Sequence, residues 1–200
     1  MSDSQFYSRR GDDGYTGLLG PERVPKYDLR PKAYGTVDEA QAVLGLVRVS
    51  DCAPRTGEIL LDIQRDLYPL MAELAASGDP DSPFVGRITG AYVDRLESWV
   101  AEFEARIDMP REFVIPGDSH PGAALHVART VTRRAERMAV RLSAEGQLDN
   151  EQVVRYLNRL SSLLYVLALF EDHRVTGSKA TLAKEEAVPE TTGAARRKER

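Results

Sequence analysis

Cysteine is nearly missing from this chain. The single Cys52 excludes an internal disulfide and a cysteine-based zinc site, and it fits a reducing compartment. Histidine is scarce as well, and neither His120 nor His126 has a second His or Cys at metal-ligand spacing, so no protein metal site is expected. Aromatic residues make up only 7% of the chain, and its one tryptophan, Trp99, falls in an apolar helical stripe where packing explains it. No excess of basic charge is present: the net charge is −4. That excludes a general nucleic-acid binder, which needs a broad cationic surface to displace phosphate counterions. The start, Met1 to Gln5, has neither a basic-then-apolar signal nor an Arg-rich amphipathic segment. No apolar run approaches the roughly 20 residues of a membrane span. The expectation is a cytoplasmic protein that engages neither membrane nor nucleic acid. There is no Walker loop, and no local motif suggests a Ser/His/Asp arrangement.

What is present is length for one domain, 42% hydrophobic residues and a strong helical period. Residues 1–35 are rich in glycine and proline and read as a long irregular loop. Five helices are expected beyond it, at about 37–50, 58–76, 87–107, 121–145 and 150–172. The second places Ile59, Ile63, Leu67, Leu70, Met71 and Leu74 on one face, and the third repeats the pattern with Ile88, Tyr92, Leu96, Trp99, Val100 and Phe103. The fifth is apolar almost all round between Leu163 and Phe170, as a central bundle helix would be. Strand-like alternation is limited to a short stretch at 112–115. Residues 176–200 turn polar and charged and read as a disordered tail. The fold expected is all-α: a five-helix bundle at 36–175 preceded by the loop.

Chemistry concentrates on the fourth helix. Arg129, Arg133, Glu136 and Arg137 recur at helical spacing beside the core stripe of Leu125, Ala128, Thr132, Ala135, Ala139 and Leu142. With Arg134 and Arg141 they form a basic strip on an acidic protein, and guanidinium forks suit polyphosphate oxygens. A solvated face with intrahelical ion pairs is the competing reading. The first loop supplies a partner feature: Ser8, Arg9, Arg10, Gly11 and the Gly-Asp-Asp-Gly run to Thr16 and Gly17 offer hydroxyls, cations and glycine-freed backbone donors. By itself that run marks an ordinary turn as readily as a phosphate site. Asn158 and Ser162, one turn apart on the fifth helix, lie off its leucine stripe. Asn158 is placed to meet a nucleotide or a metal-bound water, or simply solvent.

At this point the residues resemble the PduO-type corrinoid adenosyltransferases, which make adenosylcobalamin from ATP and cob(I)alamin. The likeness rests on four blocks in order: residues 7–18 (YSRRGDDGYTGL), 33–39 (AYGTVDE), 113–117 (FVIPG) leading into 126–137 (HVARTVTRRAER), and 155–161 (RYLNRLS). It implies a homotrimer with active sites between subunits and an N-terminal loop closing over ATP. Ser8, Arg9, Arg10, Gly11, Thr16, Gly17 and Lys26 would hold nucleotide and phosphates together with Arg133, Arg134, Glu136, Arg137 and Asn158. Asp38 and Arg129 would pair across the subunit joint. Phe113 would lie under the corrin and displace an axial ligand of cobalt, easing reduction to a nucleophilic Co(I); on the residues alone it also reads as an ordinary core Phe before a turn. Arg133, Phe113 and Asn158 are the residues the resemblance ties most directly to transfer. Mg2+ would neutralise the leaving triphosphate, and a reductase and an adenosylcobalamin-dependent mutase are implied partners. Arg10, Tyr15, Gln41, Ser162 and Asp118 depart from the family pattern and bear on substrate preference and turnover. A catalytically weak corrinoid or nucleotide carrier, or a bundle used only for protein interaction, are the alternatives.

Overall fold

The computed structural model describes residues 9–76 and 82–184. Two short strands, β1 (Tyr15–Gly17) and β2 (Arg23–Pro25), precede five helices: α1 (Leu29–Arg48), α2 (Pro54–Ala75), α3 (Gly90–Glu104), α4 (His120–Ala144) and α5 (Glu151–Thr176). The strands pair antiparallel with Thr16 opposite Val24. The helices form a bundle in which α4 packs chiefly on α5 and α1, α2 on α1, and α3 on α5. The five expected helices are present, with ends shifted by a few residues except at α1.

α1 begins eight residues before the expected start at 37, inside the stretch read as loop. Pro31 and Gly35 suggested irregularity, but a proline in the first turn forfeits no helical hydrogen bond. Asp28 caps the helix, its Oδ1 accepting from Arg30 N at 3.0 Å. Arg30 is only 7% exposed. Its guanidinium donates to Leu74 O at 3.0 Å and Gln147 O at 2.6 Å, tying the start of α1 to the end of α2 and to the α4–α5 turn. The β1–β2 hairpin is a second departure from the irregular loop. It is anchored on the end of α2, where Leu19 N donates to Ala75 O at 2.9 Å.

The stripes read from the sequence are the core. Leu125, Ala128, Thr132, Ala135, Ala139 and Leu142 of α4 are fully buried, as are Ile59, Ile63, Leu67, Leu70 and Leu74 of α2. Trp99 is buried too, its ring beneath the Arg95 guanidinium at 5.4 Å. α5 is long and apolar enough by mean hydropathy to cross a membrane, although no such run stood out in the sequence; 61% of its most apolar window is buried in the bundle, as befits a core helix.

Buried polar groups pin the loops. Glu73, nearly inaccessible, accepts from the backbone N–H groups of Gly86, Arg87 and Ile88 at 2.9, 3.0 and 3.1 Å and from Asn150 Nδ2 at 2.8 Å. At the start of α4, Ser119 Oγ accepts from Gly122 N at 3.0 Å and donates to Asp172 Oδ1 at 2.6 Å, locking α4 to the end of α5. Gly122 is obligatory there: a Cβ on it would sit 2.6 Å from Asp172 Cγ and 2.8 Å from Ser119 Oγ.

The expected disordered tail is corrected over residues 177–184. α5 ends at Gly177, whose φ of 64° turns the chain. The segment then lies along residues 113–118, with Val114 bridged to Leu182. Residues 185–200 lie outside the described residues.

Candidate functional site

The arginine strip is tied to both neighbouring helices. Asn158 on α5 donates from Nδ2 to Glu136 Oε1 at 2.8 Å, and its own Oδ1 accepts from Arg159 Nη1 at 2.8 Å. Arg133 lies 4.0 Å from Glu136 with its side chain half exposed. Arg137 Nη1 donates to Arg133 O at 3.1 Å, and Arg134 pairs with Glu39 of α1. The intrahelical-pair reading is thus partly realised, yet Arg133 keeps an open guanidinium at a cleft. Glu136 and Asn158 orient one another beside it.

Two clefts adjoin along α4. One, of about 270 Å³, is lined by Arg129, Arg133, Ser161, Ser162 and Tyr165 among others. The second, of about 420 Å³, has Phe113, Val114, Pro116, His126, Arg129 and Tyr165 in its wall. Arg129 and Tyr165 belong to both. A cleft that carries Arg129 and Arg133, with Glu104 and the apolar Val100, Met109 and Val166 also in its wall, therefore shares a side with a larger one that carries an open aromatic ring. Phe113 is 85% exposed, which removes the ordinary core role for it.

Arg129 sits with its guanidinium carbon 5.9 Å from the Tyr165 ring centroid. Its Nε is buried and without a hydrogen-bond partner among the described residues. Burial raises the Tyr165 hydroxyl pKa, while the nearby Arg129 opposes the shift. His126 is 4% exposed, with both ring nitrogens unpartnered and the ring edge-on to Tyr165. Burial first, then the positive charge of Arg129, pushes its pKa below the ordinary value, with Asp118 opposing. The shift favours the neutral imidazole.

The N-terminal residues occupy the hairpin and the turns leading into it. Ser8 lies outside the described residues. Arg9 adopts a left-handed φ of 60°, and its carbonyl accepts from Asp12 N at 3.2 Å. The Arg10 carbonyl accepts from Arg23 at 2.6 Å. Gly11 and Lys26 are brought together: a Cβ on Gly11 would sit 3.1 Å from Lys26 Nζ, a tight contact that glycine avoids. Thr16 and Gly17 lie on β1. This group is anchored on α2, whereas the strip of α4 is tied to α1 and α5; the two halves foreseen for the nucleotide stand on different parts of one chain. Asp38 is exposed on α1, and the α1 carboxylate that reaches α4 is Glu39 instead.

A family model described as cobalamin adenosyltransferase matches residues 6–171. The chain belongs to that family. Among its adenosyltransferase relatives, the corrinoid adenosyltransferase of Mycobacterium bovis is 40% identical over 169 residues, covering 82% of this chain and 87% of the relative. The corrinoid adenosyltransferase PduO of Citrobacter freundii is also 40% identical, over 84% of this chain, but the match spans only 50% of that longer protein. Among solved structures, a variant PduO-type ATP:corrinoid adenosyltransferase from Lactobacillus reuteri complexed with cobalamin and ATP superposes with a TM-score of 0.81 at 30% identity. It covers 89% of this chain and 96% of its own. Another variant of the same enzyme, complexed with ATP, gives 0.80 at 29% identity over 90% of this chain and all of its own.

Sequence reasoning missed Tyr165, Ser161 and Thr181. Tyr165 sits in an apolar run that predicts burial on all sides, and only the bundle turns its ring toward the Arg129 wall. Thr181 lies in a stretch whose composition reads as tail.

Proposed function

We propose that this adenosyltransferase transfers the 5′-deoxyadenosyl group of ATP to a cob(I)alamin-type corrinoid, releasing triphosphate. The observation that carries the reading is the shared Arg129/Tyr165 wall between the arginine cleft and the Phe113 cleft. Arg133 offers one cleft a cation for a phosphate and Phe113 offers its neighbour a ring for a flat macrocycle, so the two reactants would meet at their junction. Cobinamide remains an alternative corrinoid.

The reaction needs no protein nucleophile or general base. The Co(I) electron pair attacks C5′ of ATP, the Co–C bond forms, and the C5′–O bond breaks with its electrons leaving on triphosphate. Arg133 and Arg137, with Arg134 and Lys26, supply positive charge where the leaving group accumulates negative charge. Asn158 holds Glu136 in place, and the pair is suited to the Mg2+ that enters with ATP, since Mg2+ commonly uses one or two carboxylates plus phosphate oxygens. Ser8, Arg9, Arg10, Gly11, Thr16 and Gly17 would close over the nucleotide. Phe113, open to its cleft, would cover the face of the corrin from which an axial ligand departs.

A homotrimer with sites at subunit joints goes with this reading. Its support is the anchoring of the hairpin on α2 and of the arginine strip on α1 and α5, together with an Arg129 Nε that is buried without a hydrogen-bond partner among the described residues and an exposed Asp38. Function in the cytoplasm, with Co(I) from a reductase and product passed to a mutase, completes the proposal.

The test is anaerobic spectrophotometry of cob(I)alamin with Mg-ATP and the purified protein, following the light-sensitive alkylcobalamin spectrum. Conversion that requires both protein and ATP is the expected result. Corrinoid bound without conversion would favour the carrier reading, and no binding of either ligand the interaction-only bundle.

A further inference from the structure

The loop that carries Phe113 is held by the stretch that follows α5. Ala183 N donates to Phe113 O at 2.7 Å, and Ile115 N donates to Thr181 O at 2.8 Å. Asp118 closes the arrangement: its Oδ2 accepts from Thr181 N at 2.8 Å and its Oδ1 from Thr181 Oγ1 at 2.6 Å. Lys184 lies 3.7 Å from Glu112 at the far edge. The turn that aims Asp118 back at Thr181 depends on Gly117, whose φ of 131° suits glycine alone. The Asp118 end of the loop is also anchored to α5, because Ser119, next to Asp118, is bonded to Asp172 near the end of that helix, while the Phe113 end is held by the strap alone.

Phe113 itself is 85% exposed, so side-chain packing does little to fix its ring. Its direction is set by the backbone, and the backbone by this strap. Asp118 is also a departure from the family pattern, and its charge is engaged by Thr181 rather than left facing the cleft.

We propose that the two-pronged clasp between Asp118 and Thr181 is a positioning device that locks the 113–118 loop and presents Phe113 to the corrinoid. The proposal rests on the reading of Phe113 as the ring that faces the corrin. Asp118 and Thr181 are positioning residues and touch neither reactant in this scheme. The hydroxyl-to-carboxylate bond is charge-assisted, and losing such a bond is worth roughly a tenfold change in the population of the loop state it supports.

The experiment compares the full-length wild type with Thr181→Val, Thr181→Ser and Phe113→Ala. With Mg-ATP and cob(II)alamin, absorption and electron paramagnetic resonance give the fraction of bound Co(II) that has lost its axial ligand. Expected for Thr181→Val is a roughly tenfold smaller ratio of ligand-free to ligand-bound Co(II), with the KM for ATP and the Tm close to wild type. Thr181→Ser should restore the ratio. Hydrogen exchange should quicken at the Ile115 and Ala183 amides in Thr181→Val alone. An unchanged ratio in Thr181→Val while Phe113→Ala abolishes the ligand-free form overturns the clasp and leaves the function standing. No change in Phe113→Ala overturns both the role of that ring and the clasp. A Thr181→Val protein that loses ATP affinity, or fails to fold, also overturns the positioning role, since the contact would then serve the whole fold.

Discussion

Asn158 and Glu136 face each other across α5 and α4, joined by a 2.8 Å bond from Nδ2 to Oε1. Glu136 also stands 4.0 Å from Arg133. Changing Asn158 to Ala should release the Glu136 carboxylate toward the guanidinium proposed to bind phosphate. The expected result is a drop of about tenfold or more in kcat/KM for ATP, the scale of one lost charge-assisted bond. Because Arg133 is half exposed, Arg133→Ala should cost at least as much in ATP use while moving Tm little. Arg133→Lys should recover only part, since an ammonium lacks the planar fork. Steady-state kinetics beside calorimetry separate the two effects.

Phe113→Ala should leave thermal stability near wild type, because an 85% exposed ring contributes little burial. Product formation from cob(II)alamin under limiting reductant should slow strongly, whereas the rate from pre-reduced cob(I)alamin should fall less. Equal losses from the two starting states would contradict a role in axial-ligand release.

In the proposed trimer Asp38 of one subunit would meet Arg129 of the next; among the described residues the buried Arg129 Nε has no hydrogen-bond partner and Asp38 is exposed. Truncating either partner of a buried pair leaves a charge uncompensated, so Asp38→Ala and Arg129→Ala should each lose activity. Mixed assemblies of the two variants, refolded together, should regain a fraction of it, because some joints would then carry both native residues. Activity measured against mixing ratio, with sedimentation to count subunits, checks this.

Gly122→Ala should destabilise the protein by roughly 1–3 kcal/mol, the usual cost of overpacking, because the new methyl would collide with Asp172 and Ser119. A Tm lower by several degrees is the expected reading. Asp172→Ala in the same chain should relieve part of the loss by clearing the space.

His126 makes stability pH-dependent with a definite sign. Its folded pKa lies below the ordinary value near 6.5, through burial and then Arg129. The unfolded chain therefore takes up the proton first as pH falls. The stabilisation is present in full above about pH 6.5 and is lost as pH drops from there toward the lowered folded value. Asp172, raised by burial, acts in the opposite sense at lower pH, gaining stability as pH falls through its raised folded value. Urea midpoints at pH 7.5 and 5.5 should show a larger loss for wild type than for His126→Phe.

Helix periodicity made the α2 and α4 core stripes legible, because burial of one face at a repeat near 3.6 is written directly into residue order. The arginine strip was legible for the same reason. The beginning of α1 was not: Pro31 and Gly35 carry the local signals of a loop, and the contacts that outweigh them, Arg30 to Leu74 and Gln147, come from residues far away in the chain. The 177–184 strap escaped similarly, since its hydrogen bonds are backbone bonds whose partners at 113–118 cannot be inferred from composition.

By itself the sequence determined an all-α bundle and a cationic face on its fourth helix, which local periodicity carries, and the motif blocks by which it resembles the corrinoid adenosyltransferases. Only the tertiary structure decided that Arg129 and Tyr165 wall two clefts at once, that Phe113 stands in the open rather than in the core, and that Asp118 is spent on Thr181. Each depends on which distant segments the bundle brings within a few ångströms, and that is fixed by packing, not by residue order along any one helix.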